Sequence, residues 1–286
     1  MATDAIVISP GVAMDLIVAD DGLPAEEVGV WAKEKHSYLC RYLDISRATR
    51  KKYIGDRKGG AVYFDLFCGT GRARIRDTEE WIDGGAVAAW KTSSAGGAPF
   101  SDLYISDIDE AKLNACAERL RRLNAPVHPV HASAVDAVRE MIAAVSGHAL
   151  HFAFIDPYNL ESLDFRVISA LAPLKRIDLL IHLSAMDLQR NLSINLTDGD
   201  SAFDAFAPGW RENVDVAGTQ SEVRRRVVEY WVKKVGELGV WPSTDWRLIT
   251  ADRNQPLYWL LLAAKHPLPH SFWEAAANVQ GQGKLF

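Results

Sequence analysis

Short apolar runs alternate with longer amphipathic stretches through the middle of the chain. Strands that alternate with helices in this way are typical of a parallel sheet with crossover helices. We therefore expect an α/β fold with a mostly parallel sheet. The pattern predicts strands at 61–67, 102–106, 127–131, 151–155 and 177–183, and helices at about 84–94, 109–123, 134–145 and 162–173.

The segments that flank this core have other patterns. Residues 1–25 look irregular, and apolar positions from 25 to about 52 predict one or two helices that lead into the core. Beyond the core, the polar stretch from 187 to about 215 predicts a long loop or lid. The expected parts are an N-terminal helical extension over 1–60 and one domain over 61–286, with an insertion at about 185–243.

The C-terminal part begins with a predicted helix over 223–238. Two apolar runs follow, at 246–249 and 257–263, on either side of the turn-prone stretch 252–256. They predict an antiparallel hairpin that is added to the parallel sheet.

The most informative segment is the end of the first predicted strand, where Asp65 is followed by Gly69 and Gly71. Glycines permit backbone angles that side chains forbid, and they let a ligand approach the main chain closely. A Gly-x-Gly also closes tight turns in proteins that bind nothing. The negative carboxylate of Asp65 would not stabilise the negative charge of a pyrophosphate, whereas it could bind a cofactor that carries a cationic amino acid. The loop therefore favours S-adenosylmethionine (SAM) over a dinucleotide.

Two later apolar runs also end in acids. Asp107 ends the second predicted strand and is placed to bind ribose hydroxyls, while Asp109 is the better cap for the next helix. Asp156 ends the fourth strand and is followed by Pro157 and Tyr158. Since carboxyl ends of parallel strands share one edge of a sheet, we expect three acids along that edge.

Basic residues crowd the segment before the first strand, and three arginines follow the glycine loop within an unusual insert, 72–83. Such runs are usually solvated faces, but these two are expected to flank the cofactor crevice, where they could contact substrate phosphates. The residues are Arg41, Arg47, Arg50, Lys51, Lys52, Arg57 and Lys58 in the first run, and Arg72, Arg74 and Arg76 in the second.

Composition narrows the class of protein. The 286 residues carry a net charge of −5, which argues against non-specific coating of nucleic acid. The chain has neither a long apolar stretch nor a signal-peptide pattern, so we expect a cytoplasmic protein without membrane contact. Cysteines and histidines show no ligand spacing, and no metal is expected. Cys68 either fills the tight glycine turn or is a reactive thiol.

With these residues in place, the chain resembles the class I, Rossmann-like, SAM-dependent methyltransferases, and more closely the bacterial three-Cys-motif partner family (TcmP). The resemblance covers roughly residues 30–275. It implies a methyltransferase-like fold, SAM as the cofactor and a three-Cys-motif protein as a possible partner. The motifs that carry it are 63–71, 84–86, 152–158, 178–182 with Arg190, and 258–260.

Two positions depart from the family pattern. Ser133 stands where the family tends to have an acid that meets the adenine amino group, and serine can still accept a hydrogen bond. Asn159 stands where glycine often follows the aromatic residue, and asparagine tolerates a left-handed backbone. The expected cofactor contacts are Asp65, Phe67, Cys68, Gly69, Gly71, Asp107, Ile108, Ser133, Ala134 and Asp156.

The segment Asp156, Pro157 and Tyr158 resembles the Asp-Pro-Pro-Tyr loop of amino-group methyltransferases. The resemblance implies that Asp156 holds the substrate amine and Tyr158 stacks on its ring, so these three residues are the predicted catalytic set; an Asp-Pro at a strand end is also a common turn. His182 is either a core histidine or a catalytic base. Arg72 and Arg190 are candidates for substrate binding, although Arg190 could instead anchor the loop that follows it.

Four functions remain open. The first is methylation of an exocyclic amine of a nucleobase, in nucleic acid or as a nucleotide. The second is methylation of a small molecule or peptide, which the acidic charge and the long loop favour. The third is a non-catalytic partner protein with a methyltransferase fold, which the serine at 133 favours. A nicotinamide-dependent oxidoreductase comes last, because Asp65 and the missing glycine at Arg74 count against it. The oligomeric state stays open.

Overall fold

A parallel sheet of five strands forms the centre of the protein, and a computed structural model describes residues 16–251 and 254–278. The strands in this part of the chain are β1 (Ile17–Val18), β2 (Pro24–Val28), β3 (Ala61–Asp65), β4 (Arg72–Ile75), β5 (Trp81–Asp83), β6 (Asp102–Asp107), β7 (Val127–His131), β8 (Leu150–Ile155), β9 (Ile177–Ser184), β10 (Trp241–Pro242), β11 (Arg247–Thr250) and β12 (Pro256–Ala264).

Helices precede, connect and follow these strands. They are α1 (Trp31–Ile45), α2 (Arg47–Lys51), α3 (Gly85–Ala95), α4 (Glu110–Arg122), α5 (Ala134–Ala144), α6 (Phe165–Leu171), α7 (Ala185–Arg190), α8 (Leu192–Thr197), α9 (Ala202–Phe206), α10 (Trp210–Asn213), α11 (Gln220–Glu237) and α12 (Pro267–Ala277). The predicted core strands and helices are confirmed. The helix predicted at 162–173 is shorter, because the Asp164 side chain accepts a hydrogen bond from the Arg166 N–H and caps α6 at that point.

The central sheet has the strand order β10-β12-β9-β8-β3-β6-β7, and β11 also pairs with β12. Strands β3, β6, β7, β8 and β9 are parallel, whereas β12 runs antiparallel beside β9. A parallel sheet with one antiparallel strand inserted next to its fifth parallel strand is the Rossmann-like methyltransferase arrangement, so the predicted fold class is confirmed. The predicted C-terminal hairpin is the pair β11 and β12.

Helices cover both faces of this sheet. The side chains of Tyr63, Phe152 and Leu180 face a core shared with α1, α3, α4 and α12. The alternate side chains, such as Phe64 and Ala153, face a second core that includes α5, α6 and α11. This two-sided burial explains why the core strands read as nearly continuous apolar runs in the sequence.

The N-terminal residues and the insert after the glycine loop form a second sheet with the order β1-β2-β4-β5. Strand β2 pairs in parallel with β4, and β4 pairs antiparallel with β5. The sequence predicts irregular structure for residues 1–25, but β1 and β2 pair with each other and β2 pairs with β4, and ion pairs such as Arg74 with Glu27, at 2.6 Å, connect neighbouring strands. The N-terminal extension therefore contains strands as well as helices, and residues 1–15 lie outside the described part of the chain.

The segment expected as a long polar loop contains four short helices, α7 to α10. Phe203, Phe206 and Trp210 in this segment are fully buried, and Phe206 stacks on Trp231 of α11 with ring centroids 5.2 Å apart. The expectation of a long irregular loop is wrong for these residues, because they form helices whose aromatic side chains extend the core under α11. In the described part of the chain, no helix combines the length and the apolar character that crossing a membrane requires.

Candidate active site

The glycine loop lies between the end of β3 and β4. Gly69 and Gly71 have φ angles of +54° and +77°, which side chains rarely adopt. A Cβ on Gly71 would lie 2.9 Å from Sγ of Cys116, so both space and backbone conformation require glycine there. Cys68 is buried in the same turn, and burial raises the pKa of its thiol well above the usual value. It packs in the turn as a small side chain and is not an activated thiolate.

The insert 72–83 begins and ends beside the glycine loop. The N–H of Gly84 donates to the carbonyl oxygen of Gly71 at 2.8 Å. The β4–β5 hairpin is therefore an insertion between two glycines that are hydrogen-bonded to each other. Helix α3 begins at the next residue, and a Cβ on Gly85 would lie 3.1 Å from Oδ2 of Asp65. The N-terminus of α3 therefore faces the glycine loop, as in an uninterrupted strand-loop-helix unit.

Asp65 is almost completely buried at the end of β3. Its Oδ1 accepts the N–H of Phe67 at 3.3 Å, and its Oδ2 accepts the hydroxyl of Tyr63 at 3.2 Å. Burial, reinforced by the nearby carboxylate of Asp156, raises the pKa of Asp65 from 3.8 to about 7. A buried acid with so high a pKa would gain from a cation placed beside it.

Asp107 ends β6 and turns its carboxylate back to the loop. Its Oδ2 accepts the N–H of Gly69 at 2.9 Å, and its Oδ1 accepts the N–H of Asp109 at 2.9 Å. Asp109 in turn caps α4, as expected, by accepting the N–H groups of Ala111 and Lys112. Ile108, between the two acids, is 76% exposed, which leaves an apolar surface beside the Asp107 carboxylate.

The third parallel strand, β7, leads to Ser133 and Ala134 at the start of α5. Ser133 caps this helix, and its hydroxyl donates to Oδ2 of Asp136 at 2.7 Å. This contact places the carboxylate of Asp136 beside Ser133, at the position where the sequence itself lacks an acid. Sequence reasoning missed Asp136, although its place in the first turn of a predicted helix was visible.

Asp156, the acid at the end of β8, lies between two basic side chains. Nζ of Lys35 lies 2.5 Å from its Oδ2, and Nδ1 of His182 lies 2.8 Å from its Oδ1. Although burial opposes ionisation of Asp156, the Lys35 charge and the His182 hydrogen bond together hold its pKa well below its usual range. Both oxygens of this carboxylate are already engaged, a feature that the sequence did not reveal.

The protonation of His182 follows from that of its partner. An ionised Asp156 can only accept, so Nδ1 of His182 carries the proton that joins them and Nε2 keeps its lone pair. Burial lowers the pKa of His182, so the ring is neutral near pH 7. The ring of Tyr258 on β12 is tilted against it, with centroids 4.0 Å apart. Asp156 therefore holds His182 in one tautomer and one orientation.

The remaining predicted residues divide into two groups. Tyr158 is 70% exposed beyond Asp156 and Pro157, so its ring is free to stack on a ligand, and Arg190 is exposed at the end of α7. Arg72 is instead engaged by two carboxylates, Asp20 at 2.6 Å and Asp83 at 2.9 Å. A substrate phosphate would have to displace one of them.

The basic run before β3 does not flank the crevice, contrary to expectation. It leads into the amino-terminal end of β3, and Arg50 and Tyr42 line a cavity with Leu150 and Ile177, which begin β8 and β9. In a parallel sheet that edge is opposite to the glycine loop. The prediction failed because proximity in sequence to a strand does not tell which end of the strand the side chains approach.

Another residue missed by sequence reasoning is Glu26 of β2. Its Oε2 accepts the N–H of Thr70 in the glycine loop at 3.3 Å, and its Oε1 lies 2.7 Å from Nζ of Lys112. A Cβ on Gly69 would lie 2.6 Å from the same carboxylate. The small sheet thus supports one side of the loop directly.

The comparisons with known proteins concern the fold. No protein-family model matches the sequence, and no curated protein matches it. A Legionella pneumophila protein of family DUF519 has a solved structure similar to this chain, with 10% identity, 87% of this chain and 94% of that chain covered, and a TM-score of 0.51.

Two solved methyltransferases are less similar. An O-methyltransferase from Bacillus cereus, in complex with S-adenosyl-L-homocysteine (SAH), has 11% identity; the match covers 86% of each chain with a TM-score of 0.49. The N-methyltransferase NodS from Bradyrhizobium japonicum, in complex with SAH, has 10% identity; the match covers 82% of this chain and 88% of that chain with a TM-score of 0.44. At such identities the likeness is one of fold alone. It is the strand order of the central sheet, with β12 antiparallel beside β9, that makes the fold methyltransferase-like.

Proposed function

We propose that this protein is a SAM-dependent methyltransferase. The observation that carries the proposal is the meeting of three strand-end acids, Asp65, Asp107 and Asp156, around a loop with two positive-φ glycines. A dinucleotide would bring a pyrophosphate to this loop, where a buried carboxylate gives it no support. A cofactor with a cationic amino acid and a ribose suits the same groups.

The residues at this edge suit SAM in their charge and in their hydrogen-bonding groups. Asp65 would hold the cationic methionyl end, and Asp107 would accept the ribose hydroxyls. The exposed side chain of Ile108 would cover one face of the adenine, with Ser133, Ala134 and Asp136 at its edge. Glycine at 69 and 71 lets the loop pack closely against Glu26 and Cys116, and Phe67 and Cys68 would lie beside the cofactor.

When bound, SAM supplies an electrophilic methyl group on a sulfonium. The protein's own part is to align the acceptor, exclude water and take up a proton. Tyr158 would stack on the acceptor. His182 would receive the acceptor's proton at Nε2, while Asp156 holds the imidazole by Nδ1 and Lys35 keeps Asp156 ionised.

We propose an amino group of a nucleobase or nucleotide-like substrate as the methyl acceptor. The exposed aromatic ring of Tyr158 next to the strand-end acid supports a planar substrate, and Arg190 is available for its phosphate. The resemblance to three-Cys-motif partners adds a cytoplasmic partner protein of that kind to the proposal.

A second candidate acceptor is a small molecule or peptide that must lose a proton during transfer. Two observations favour it: Arg72 is already paired with carboxylates, and each oxygen of Asp156 already has a basic partner, with which a substrate amine would have to share it. The substitution His182→Asn tests whether His182 acts as a base or only packs against its neighbours. With a base role, SAM binding persists while the methylation rate falls at least tenfold and loses its rise with pH.

Calorimetric titration with SAM, SAH, NAD and ATP tests the cofactor. We expect micromolar binding of SAM and SAH alone, weakened at least tenfold by Asp107→Ala. Asp102→Ala is the matched control, because Asp102 lies at the opposite, exposed end of the same strand and contacts only His128 among described residues. Binding of NAD in preference to SAM would contradict the proposal.

A methylation assay with labelled SAM tests the acceptor. Nucleotide, RNA and DNA pools are offered beside a metabolite and peptide pool. Label in the nucleic acid or nucleotide pools supports the first acceptor, and label only in the other pool supports the second. Tight SAM binding without label in any pool would favour the non-catalytic partner.

A further inference from the structure

A second cavity lies far from the glycine loop. It has a volume of about 410 Å³ and is enclosed by the C-terminal part of α1, by α2, by the first residues of β8 and β9, and by the start of α12. The amino-terminal edge of a parallel sheet is opposite to its cofactor edge, and at about 3.3 Å per residue a six-residue strand separates the two by roughly 20 Å. This cavity is therefore no part of the site described above.

Its walls are mainly apolar and aromatic. Tyr42 stacks on Phe152 with ring centroids 5.4 Å apart, and together they form one wall. Leu150 precedes Phe152 by two residues on β8, so both side chains stand on the cavity side of the sheet. The other apolar residues of the lining are Leu43, Tyr53, Phe100, Ile177, Leu268 and Phe272. A volume of this size with such walls suits a ring-containing small molecule.

Arg50 adds a charge without a counter-ion to this lining. Its side chain is 1% exposed, and its hydrogen bonds go to neutral oxygens: the carbonyls of Ala98 at 2.6 Å and Leu43 at 3.0 Å, and the hydroxyl of Ser46 at 3.4 Å. Nη2 has no hydrogen-bond partner in the described chain. Burial lowers the pKa of Arg50 only to about 10, so the guanidinium is charged at pH 7.

A buried cation that pairs with no acid is uncommon, because its desolvation is not repaid by an opposite charge. Asp44 of the preceding helix α1 is already bound to Arg47 at 2.7 Å. No carboxylate in the described residues lies within ion-pair distance of Arg50. An anion in the adjoining cavity would supply the missing opposite charge.

The other charged groups of the lining agree with an anion. Arg176 and Lys265 add two cations, and Asp178 is the one acid. The hydroxyl of Tyr42 donates to Oδ2 of Asp178 at 2.8 Å, and burial raises the pKa of Asp178 to about 7. Asp178 therefore carries a proton for part of the time at neutral pH and opposes an anion less than an ordinary aspartate would.

We propose that this cavity is a second ligand site, which binds an aromatic carboxylate with its ring between Tyr42, Phe152 and Leu150 and its negative charge toward Arg50. Binding there is independent of SAM. The site is suited to sense or deliver a small organic acid at the end of the sheet remote from methyl transfer.

The test uses 2-naphthoate as the probe and 2-naphthalenemethanol as its uncharged analogue of similar shape. Calorimetric titration of the full chain should show the acid binding at least tenfold more tightly than the alcohol. Arg50→Gln should remove this preference while the alcohol is bound as before. Arg47→Gln is the matched control, because Arg47 is exposed, belongs to the same helix and does not line the cavity.

Leu150→Trp provides a second variant that leaves Arg50 and its carbonyl partners in place, in case Arg50→Gln does not fold. Its larger ring fills the cavity and should abolish binding of both probes. Leu150→Trp should bind SAM as the wild type does, and Asp107→Ala should bind naphthoate as the wild type does. These two controls distinguish failure of the proposed second ligand site from failure of the proposed methyltransferase function. Equal affinity for acid and alcohol, no binding by the folded wild type, or undiminished binding by folded Leu150→Trp would overturn the proposal.

Discussion

Nζ of Lys35 lies 2.5 Å from Oδ2 of Asp156, which joins the first turns of α1 to the carboxyl end of β8. Both side chains are largely buried, at 14% and 16% exposure. Asp156 is therefore kept as an anion inside the protein by a residue 121 positions away in the sequence. This ion pair decides what the strand-end acid can do: it keeps Asp156 ionised, and Asp156 in turn positions His182.

Removal of the Lys35 charge should destabilise the fold. Breaking a buried pair leaves an uncompensated charge, and we expect Lys35→Ala to lower the free energy of unfolding by about 3 kcal/mol at pH 7. Lys33→Ala is the control, because Lys33 makes an equally short pair with Glu80 but both groups are exposed; its cost should stay under about 1 kcal/mol. Urea denaturation measures both values.

The pH dependence of this effect has a definite sign. The pKa of Asp156 is lowered in the folded state, so the stabilisation is present above its unfolded pKa, near 4, and is lost as the pH falls further. The difference between wild type and Lys35→Ala should shrink below about pH 4. A difference that is constant from pH 7 to pH 3 would contradict the assigned ion pair.

The contribution of Asp65 to the stability of the fold should change with pH in the opposite direction. Its pKa of about 7 in the folded state exceeds its unfolded value, so the folded protein binds the extra proton between about pH 4 and pH 7. Stability therefore falls as the pH rises through that window. At about 1.4 kcal/mol per pKa unit, Asp65→Asn should be more stable than wild type at pH 8 by up to about 4 kcal/mol.

Comparison of the two proteins isolates Asp65, because Asp178 also titrates near pH 7 and is present in both. Denaturation at pH 4, 6 and 8 provides the values. Parallel stability curves for wild type and Asp65→Asn would show that Asp65 is ionised in the free protein.

Gly85 marks the close contact of α3 with the cofactor edge. A methyl group there would lie 2.9 Å from the ring of Phe154 and 3.1 Å from Asp65, so Gly85→Ala should cost about 1 to 3 kcal/mol and weaken SAM binding. Gly147→Ala is the control, because nothing lies within 4 Å of the added methyl group. Thermal unfolding and calorimetry check both effects; equal melting temperatures would refute the contact.

Arg119 of α4 ties the N-terminal strands to the glycine loop. Its Nη1 donates to the carbonyls of Thr70 at 2.6 Å and Pro24 at 2.7 Å, and its other nitrogens bind Asp21. Arg119→Gln leaves buried carbonyls unpaired and should cost about 2 to 4 kcal/mol. Hydrogen exchange over β2 should accelerate, whereas Arg121→Gln, an exposed change on the same helix, should leave it unchanged.

The sequence predicts the core well because each core element has a strong local signal. The strand β3 is a continuous apolar run, and Asp65 and Asp107 come at strand ends, where parallel topology alone brings them to one edge. Glycine at position 69 permits the positive φ that the loop adopts there. These features depend on patterns within a few residues.

The unpredicted features depend on contacts between distant segments. Strand β2, with the sequence Pro-Ala-Glu-Glu-Val, has no alternating apolar pattern and becomes a strand because β4 lies beside it. The short helices α8 to α10 are apolar at irregular spacing, so no period marks them. The partners of Asp156 come from α1 and β9, and no local pattern pairs a lysine with an acid so far along the chain.

The position of β12 has a consequence for how the protein is made. Tyr258, which packs on His182, belongs to β12, and α12 beyond it packs against α1. During synthesis on a ribosome, α1 can pack on α3 early, but the contacts that β12 and α12 make with His182 and α1 form only after residues 256–277 have left the exit tunnel. A nascent chain stalled before β12 would therefore lack the ring that packs on His182, and the candidate site would stay incomplete until that strand has been made.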